Sequence, residues 1–501
     1  MRMKKLFALT LSLICSAQLW AKDYQVADFG VMADGTTLNT RAIQRAIDLI
    51  HEQGGGRLIF PLGRYLSGTL HLRSGVTLHL ENGAVLMGSN NPYDYDRVPN
   101  LNTAFLLAVG QENIGLTGEG LVDCRGRQTA YNLVDQIHRG LFDDPLNLDR
   151  PYESHRPMII YFRECTNVTI TGITLRDPAS WKNSASWVQT YDQCFNLKID
   201  RIHVESNAYW NNDGLDLVDC QNVTVTNSFF DASDDAICLK SHGDDQKCHN
   251  ILIRNNVARS GASGIKFGTG SRGGFTDIRV INNKVYDTYR SAITLQAVDG
   301  ATIDNILVDS LYAIHTGNVI YLRTGDRYTN GRHSSMSNVT IQNVYAEVPA
   351  AKPDKGYDYE GPIHHMPRNI SPCGIVGLPD HVITNVTLRN IKIKFPGGGN
   401  KFYAYRGVTP AELDSIPEMP KSYPEFSQFR ELPAWGFYIR HAKGVTLENV
   451  ELIAQKPDYR PAVVLDDVHD ITFDNVTYDE PNAAQKQQFY PYKSTEVKVI
   501  E

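Results

Sequence analysis

One short alternation dominates the chain: Asn or Asp, then an aliphatic residue, a polar residue and a second aliphatic. It reads NVTI from Asn167, NLKI from Asn196, NVTV from Asn222, NILI from Asn250 and DIRV from Asp277, at intervals of 29, 26, 28 and 27 residues. Further copies begin at Asn338, Asn385, Gly444 and Asp470, with longer stretches between them. The period of two within each copy predicts a strand, and recurrence at a nearly fixed interval predicts a solenoid of stacked coils.

A second strand follows in each coil, as GLDL from Gly214, AICL from Ala236, GIKF from Gly264, AITL from Ala292 and VIYL from Val319. With the first residue as position zero, positions one and three are apolar in all of them. Alternate side chains point to opposite faces, so these form an interior stack while positions zero, two and four face outward, with coils about 4.8 Å apart. Helical periodicity is confined to the start, where Ala42, Ile43, Ala46, Ile47 and Ile50 make an apolar stripe. Asn39 precedes it as a candidate N-cap, and Gly54, Gly55 and Gly56 end it. A solenoid leaves its first coil uncovered, and this helix is placed to cap it. The expected fold is an all-β solenoid with an N-terminal capping helix, a single domain over 22–501. Tyr, Pro, Gly and charge interrupt the repeat around 325–380 and 396–435, predicting inserted loops that wall off a groove.

Composition adds bounds. The 501 residues are 42% hydrophobic and 21% charged, ample for a packed core. A net charge of -7 provides no basic field for nucleic acid. Arg2, Lys4 and Lys5 precede an apolar run from Leu6 to Cys15 and then Ala21, which reads as a signal peptide over 1–21, with Ala17 a second cleavage choice. An exported protein, periplasmic or secreted, is expected, without a membrane span. Cys165, Cys194, Cys220 and Cys248 each lie two residues before a repeat Asn, predicting a ladder of buried thiols rather than a zinc module or disulfide framework.

The position before the second strand holds Asp213, Asp235 and Ser263 in successive coils, with Asp234 beside Asp235. Stacking gathers three carboxylates that are remote in sequence. Asp is common at turns, where it bonds local backbone, but convergence in adjacent coils favours chemistry. Crowded carboxylates keep one protonated as an acid beside ionised partners that activate water, as glycosidic hydrolysis requires.

Asn211, Asn212, Asp213 and Gly214, followed by Asp234 and Asp235, resemble the NTDG and DD motifs of glycoside hydrolase family 28, the polygalacturonase family. The likeness extends to the opening from Tyr24 to Gly35 and to GGGRLIFPLGRYLSG from Gly54. The resemblance implies a right-handed parallel β-helix that hydrolyses α-glycosidic bonds of acidic plant cell-wall polysaccharide or oligosaccharide with inversion. Asp234 would be the general acid, Asp213 and Asp235 would activate water, Asn211 would line the substrate site, and neither metal nor cofactor is implied. Two departures stand out. Where the family has GHG this chain has Gly261, Ala262, Ser263 and Gly264, and where it has RIK, whose cations hold a galacturonate carboxylate, it has Thr294, Leu295 and Gln296. The columns offer replacements: Lys266 one coil before Thr294, Arg323 one coil after Gln296, and Lys240 flanking Asp234, with Ser263 and Gln296 completing the substrate site. Trp181, Tyr209 and Trp210 suit sugar stacking, and the loops favour exo action. His242, His364, His365 and Arg368 have no assigned place. A calcium-dependent uronate lyase and a non-catalytic carbohydrate-binding solenoid are the competing readings.

Overall fold

The computed structural model describes residues 22–141, 157–178, 188–207, 212–328, 331–354, 371–399, 401–404 and 406–500. The repeat Asn is a corner residue. Asn167, Asn196, Asn222, Asn250 and Asp277 have φ between 53° and 57°, a left-handed conformation that costs most side chains roughly 1–2 kcal/mol but that Asn and Asp adopt more readily. The corners also bond one another. Asn196 Nδ2 donates to Asn167 Oδ1 (3.0 Å), Asn222 to Asn196 (3.2 Å) and Asn250 to Asn222 (2.8 Å), so each coil is registered on the one before. Gly444 takes the same corner at φ 68°. A copy that the sequence pattern passed over begins at Asn305, φ 55°, whose side chain donates to Asp277.

The corners wind the chain into a right-handed parallel β-helix in which every described strand joins one sheet. The predicted register holds at each junction that matters: Asp216 lies opposite Cys238, Cys238 opposite Lys266, Lys266 opposite Thr294, and Thr294 opposite Tyr321. The ten inward residues from Leu215 to Leu322 are at most 1% exposed, each contributing about 1.5–3 kcal/mol by burial. The seven described cysteines are buried. Cys194 and Cys220 donate to carbonyls of the preceding coil, Phe162 O and Tyr191 O.

The helix Thr40–Glu52 buries Ile43, Ala46, Ile47 and Ile50 against the first coils. Asn39 does not cap it with its side chain, which instead accepts from Met32 N–H and donates to Met32 O and Thr37 O, closing the preceding loop. The interruption expected over 325–380 is smaller than the sequence suggested. The strand Ser335–Glu347 lies inside it and pairs with both Thr302–Thr324 and Ile383–Phe395, so the solenoid runs through. The 396–435 segment is a true insertion. It carries the helix Pro410–Asp414 with a Thr409/Glu412 capping box, and packs Leu413, Ile416, Phe426 and Phe429 onto the outward Tyr321, Val376, Tyr438 and Val464. Outward positions there are apolar because the insertion covers them. Among the described residues no helix is long and apolar enough to cross a membrane; the signal peptide expected over 1–21 lies outside them.

Candidate active site

The coil turns bring Asp213, Asp234 and Asp235 together, each offering a carboxylate oxygen within 4.8 Å of the other two. Asp213 and Asp235 are 4% and 2% exposed, while Asp234 is more open. Asp234 Oδ1 accepts the Asp235 N–H at 2.9 Å, and Asp235 Oδ1 accepts the Ser263 N–H at 3.0 Å.

Two buried lysines divide the acids. Lys266 Nζ lies 2.7 Å from Asp235 Oδ2 and donates to Tyr423 Oη at 3.2 Å. Burial opposes ionisation of Asp235, but Lys266, then Arg290 and Lys240, outweigh it and hold the carboxyl below its ordinary range. Burial, then the charge of Asp235, raises Asp234 instead. Lys240, expected to flank Asp234, pairs directly with Asp213 Oδ2 and Asp216 Oδ1, both at 3.2 Å. Burial pushes Asp213 well above the carboxylate range, reinforced by Asp216 and opposed by Lys240. Asp216 is pushed up to about 7, chiefly by burial. Two carboxylates share one ammonium, which biases this pair towards holding a proton. The cluster thus contains an ionised carboxylate, Asp235, beside one biased towards its acid form, Asp234.

Several expected contributors sit elsewhere. Ser263 is fully buried and serves through its backbone N–H. Gln296 is also fully buried, donating to Thr294 Oγ1 (3.2 Å) and Pro424 O (3.0 Å) beneath the insertion. Arg323, 2% exposed, spends its guanidinium on the carbonyls of Val376, Gly377, Glu418 and Met419 and lies over the Phe429 ring. It braces the insertion rather than facing a groove, because the outward column has become an interior there. The His242 backbone N–H donates to Asp219 Oδ2 at 3.0 Å, and burial, then Lys240, holds its imidazole below its usual value. Asn211, Trp181, Tyr209, Trp210, His364, His365 and Arg368 lie outside the described residues.

Arg290, Asp216 and Tyr423 were missed. Arg290 stands in the column of Asp234, two coils on, with small Ala262 between; its N–H donates to Ala262 O at 2.7 Å. Its Nε lies 3.2 Å from Glu425 Oε2. Counting two places back from position zero finds it. Asp216 is at outward position two and was equally readable. Tyr423, 40% exposed, comes from the insertion, and its ring lies under 6 Å from Lys266, Arg290 and Arg327. No coil column predicts that contact.

The profile described as "Glycosyl hydrolases family 28" matches residues 57–352. The exo-poly-α-D-galacturonosidase of Dickeya chrysanthemi is 26% identical over 74% of this chain and 71% of its own length. The endo-polygalacturonase of Pectobacterium parmentieri is 23% identical over 73% of this chain and 94% of its own. The structure of a hyperthermoactive exopolygalacturonase from Thermotoga maritima superposes with a TM-score of 0.56 at 22% identity, covering 75% of this chain and 87% of that one. With a profile match over more than half its length and the parallel β-helix beneath it, the chain belongs to glycosyl hydrolase family 28 and is a glycoside hydrolase.

Proposed function

We propose that the protein hydrolyses α-linked galacturonate chains of pectic material from an end, with Asp234 as general acid and Asp235 as the base that activates water. The observation that carries this reading is the opposed bias of two carboxylates within 4.8 Å, one held ionised by Lys266 and one raised by burial. Asp234 would protonate the departing glycosidic oxygen. Asp235 would take a proton from the attacking water, and Asp213, held by Lys240, would orient that water. Arg290 and Arg327 beside Tyr423, each also paired with a carboxylate of the fold, Glu425 and Asp299, are the cations offered to a uronate carboxylate in place of the absent RIK pair. The insertion beside them favours an enclosed, exo-acting site.

Inversion is carried by the family likeness, since acid and base stand closer than the roughly 6.5–9.5 Å usual for inverting enzymes. A calcium lyase is disfavoured because Lys240 and Lys266 already occupy the carboxylates of Asp213 and Asp235 that would ligate the ion. An exported enzyme would meet its polymer outside the cytoplasm.

Reducing-end-labelled oligogalacturonides test the reading. Release of short unlabelled products from the first turnovers, with an inverted anomer by NMR, is expected. An early spread of mid-length labelled products would overturn exo action, and an ultraviolet-absorbing unsaturated product would overturn hydrolysis.

A further inference from the structure

We propose that Asp326, His333 and His381 form a binding site for a divalent transition metal of the zinc class, separate from the carboxylate cluster. Each of the three offers a donor atom within 4.8 Å of the others. His381 Nδ1 lies 4.0 Å from Asp326 Oδ1, beyond hydrogen-bonding distance. Both atoms are buried without a hydrogen-bond partner, and the His381 side chain is only 9% exposed. The His333 ring stands 4.4 Å from that of His381, tilted by 54°. A cavity of about 550 Å³ opens here, and Glu418, which lines it, also presents a buried, unpartnered oxygen, Oε2. Buried polar atoms are normally satisfied, and one cation would satisfy the imidazole and the carboxylate together.

The donor set selects the ion. Two imidazoles and a carboxylate suit zinc or its transition-metal neighbours, whereas calcium and magnesium take oxygen ligands. Zinc bonds of about 2.0–2.2 Å require the donors to draw in by roughly an ångström, a movement that exposed His333 can supply. His381 itself is fixed. Its N–H donates to Leu378 O at 3.0 Å, and its carbonyl accepts from Thr324 Oγ1 at 2.9 Å. A fourth position is left for water, or for Glu418.

The site has a structural consequence. Asp326 N–H donates to Pro420 O at 2.8 Å, so a metal here pins the stretch that leads to Tyr423 and thereby steadies the wall of the groove.

Zinc uptake by the full chain, stripped with chelator and dialysed, is the test, with Co²⁺ absorption reporting the ligand set. Neither readout requires turnover, so the outcome is independent of the hydrolytic reading. The wild type should retain a single Zn²⁺, His333→Ala should lose it while melting as the wild type does without metal, and Asp326→Asn should weaken binding by at least about 10–100-fold. A paired His364→Ala/His365→Ala variant should bind as the wild type. Absence of zinc uptake, retention in both His333→Ala and Asp326→Asn, or loss in the His364/His365 variant would overturn the site.

Discussion

Replacing Lys266 with Met removes an ammonium 2.7 Å from Asp235 Oδ2, in a pair whose side chains are each 3% exposed. Unit charges at that distance attract by about 6 kcal/mol at an effective dielectric of 20, a gain largely offset by the cost of taking both from water. What the substitution exposes is the offset. An uncompensated buried charge costs about 3–5 kcal/mol, and the lower end applies because Arg290 and Lys240 still act on Asp235. The sign with pH follows. In the wild type Asp235 is depressed, so its stabilising contribution is present above the unfolded-state value and is lost as pH falls through the folded one. Without Lys266, burial favours the protonated form, so the deficit of the variant is largest near neutrality and narrows on acidification. Urea unfolding followed by tryptophan fluorescence at about pH 7 and about pH 4.5 measures both. Adding Asp235→Leu should recover most of the stability while abolishing activity. A loss below about 1 kcal/mol, the range of surface pairs, or one equal at both pH values would refute the reasoning.

Hydrolysis should follow a bell-shaped pH profile, its acid limb set below the ordinary carboxylate range by Asp235 and its alkaline limb set above it by Asp234; an acid limb above the carboxylate range, or no alkaline limb at all, would contradict these roles. Arg290→Ala should cost about 10–100-fold in kcat/KM on galacturonate oligomers and far less on their carboxyl-reduced counterparts. Arg323→Ala should instead lower the melting temperature and impair both substrates alike, because its partners are backbone carbonyls. At the corner, Asn222→Val should destabilise by about 2–4 kcal/mol, through the left-handed φ and the broken ladder, and Asn222→Gly by less, since glycine keeps the conformation.

The solenoid was legible because its corner and its interior each impose a residue type. Asn167, Asn196 and Asn222 mark the left-handed turn, and the apolar pairs such as Ile237 and Leu239 mark the inward face. From those two signals the register, and hence the meeting of Asp213 with Asp235, could be counted out. The Asn305 copy, NILV, carries the same corner and inward signals. What could not be counted was any contact made by the insertion. Arg323 and Gln296 occupy the outward positions expected of them, yet the 418–429 stretch folds over that face and consumes their polar groups. Tyr423 and Glu425 reach Lys266 and Arg290 by the same route, across more than 100 residues, which no repeat spacing encodes. Asn39 shows a smaller limit: its place before the helix was right, but its side chain had a better use in the Met32 loop.

Turnover of a de-esterified galacturonate oligomer by Asp234→Asn bears most directly on the carboxylate cluster as the seat of catalysis. Asparagine keeps the oxygen that accepts the Asp235 N–H but has no acidic proton to give. The predicted result is a fall in kcat of about 10²–10⁴-fold, the usual worth of a general acid, with KM and melting temperature little changed. A variant retaining kcat within about threefold of the wild type would contradict the assignment, since loss of a true general acid costs far more.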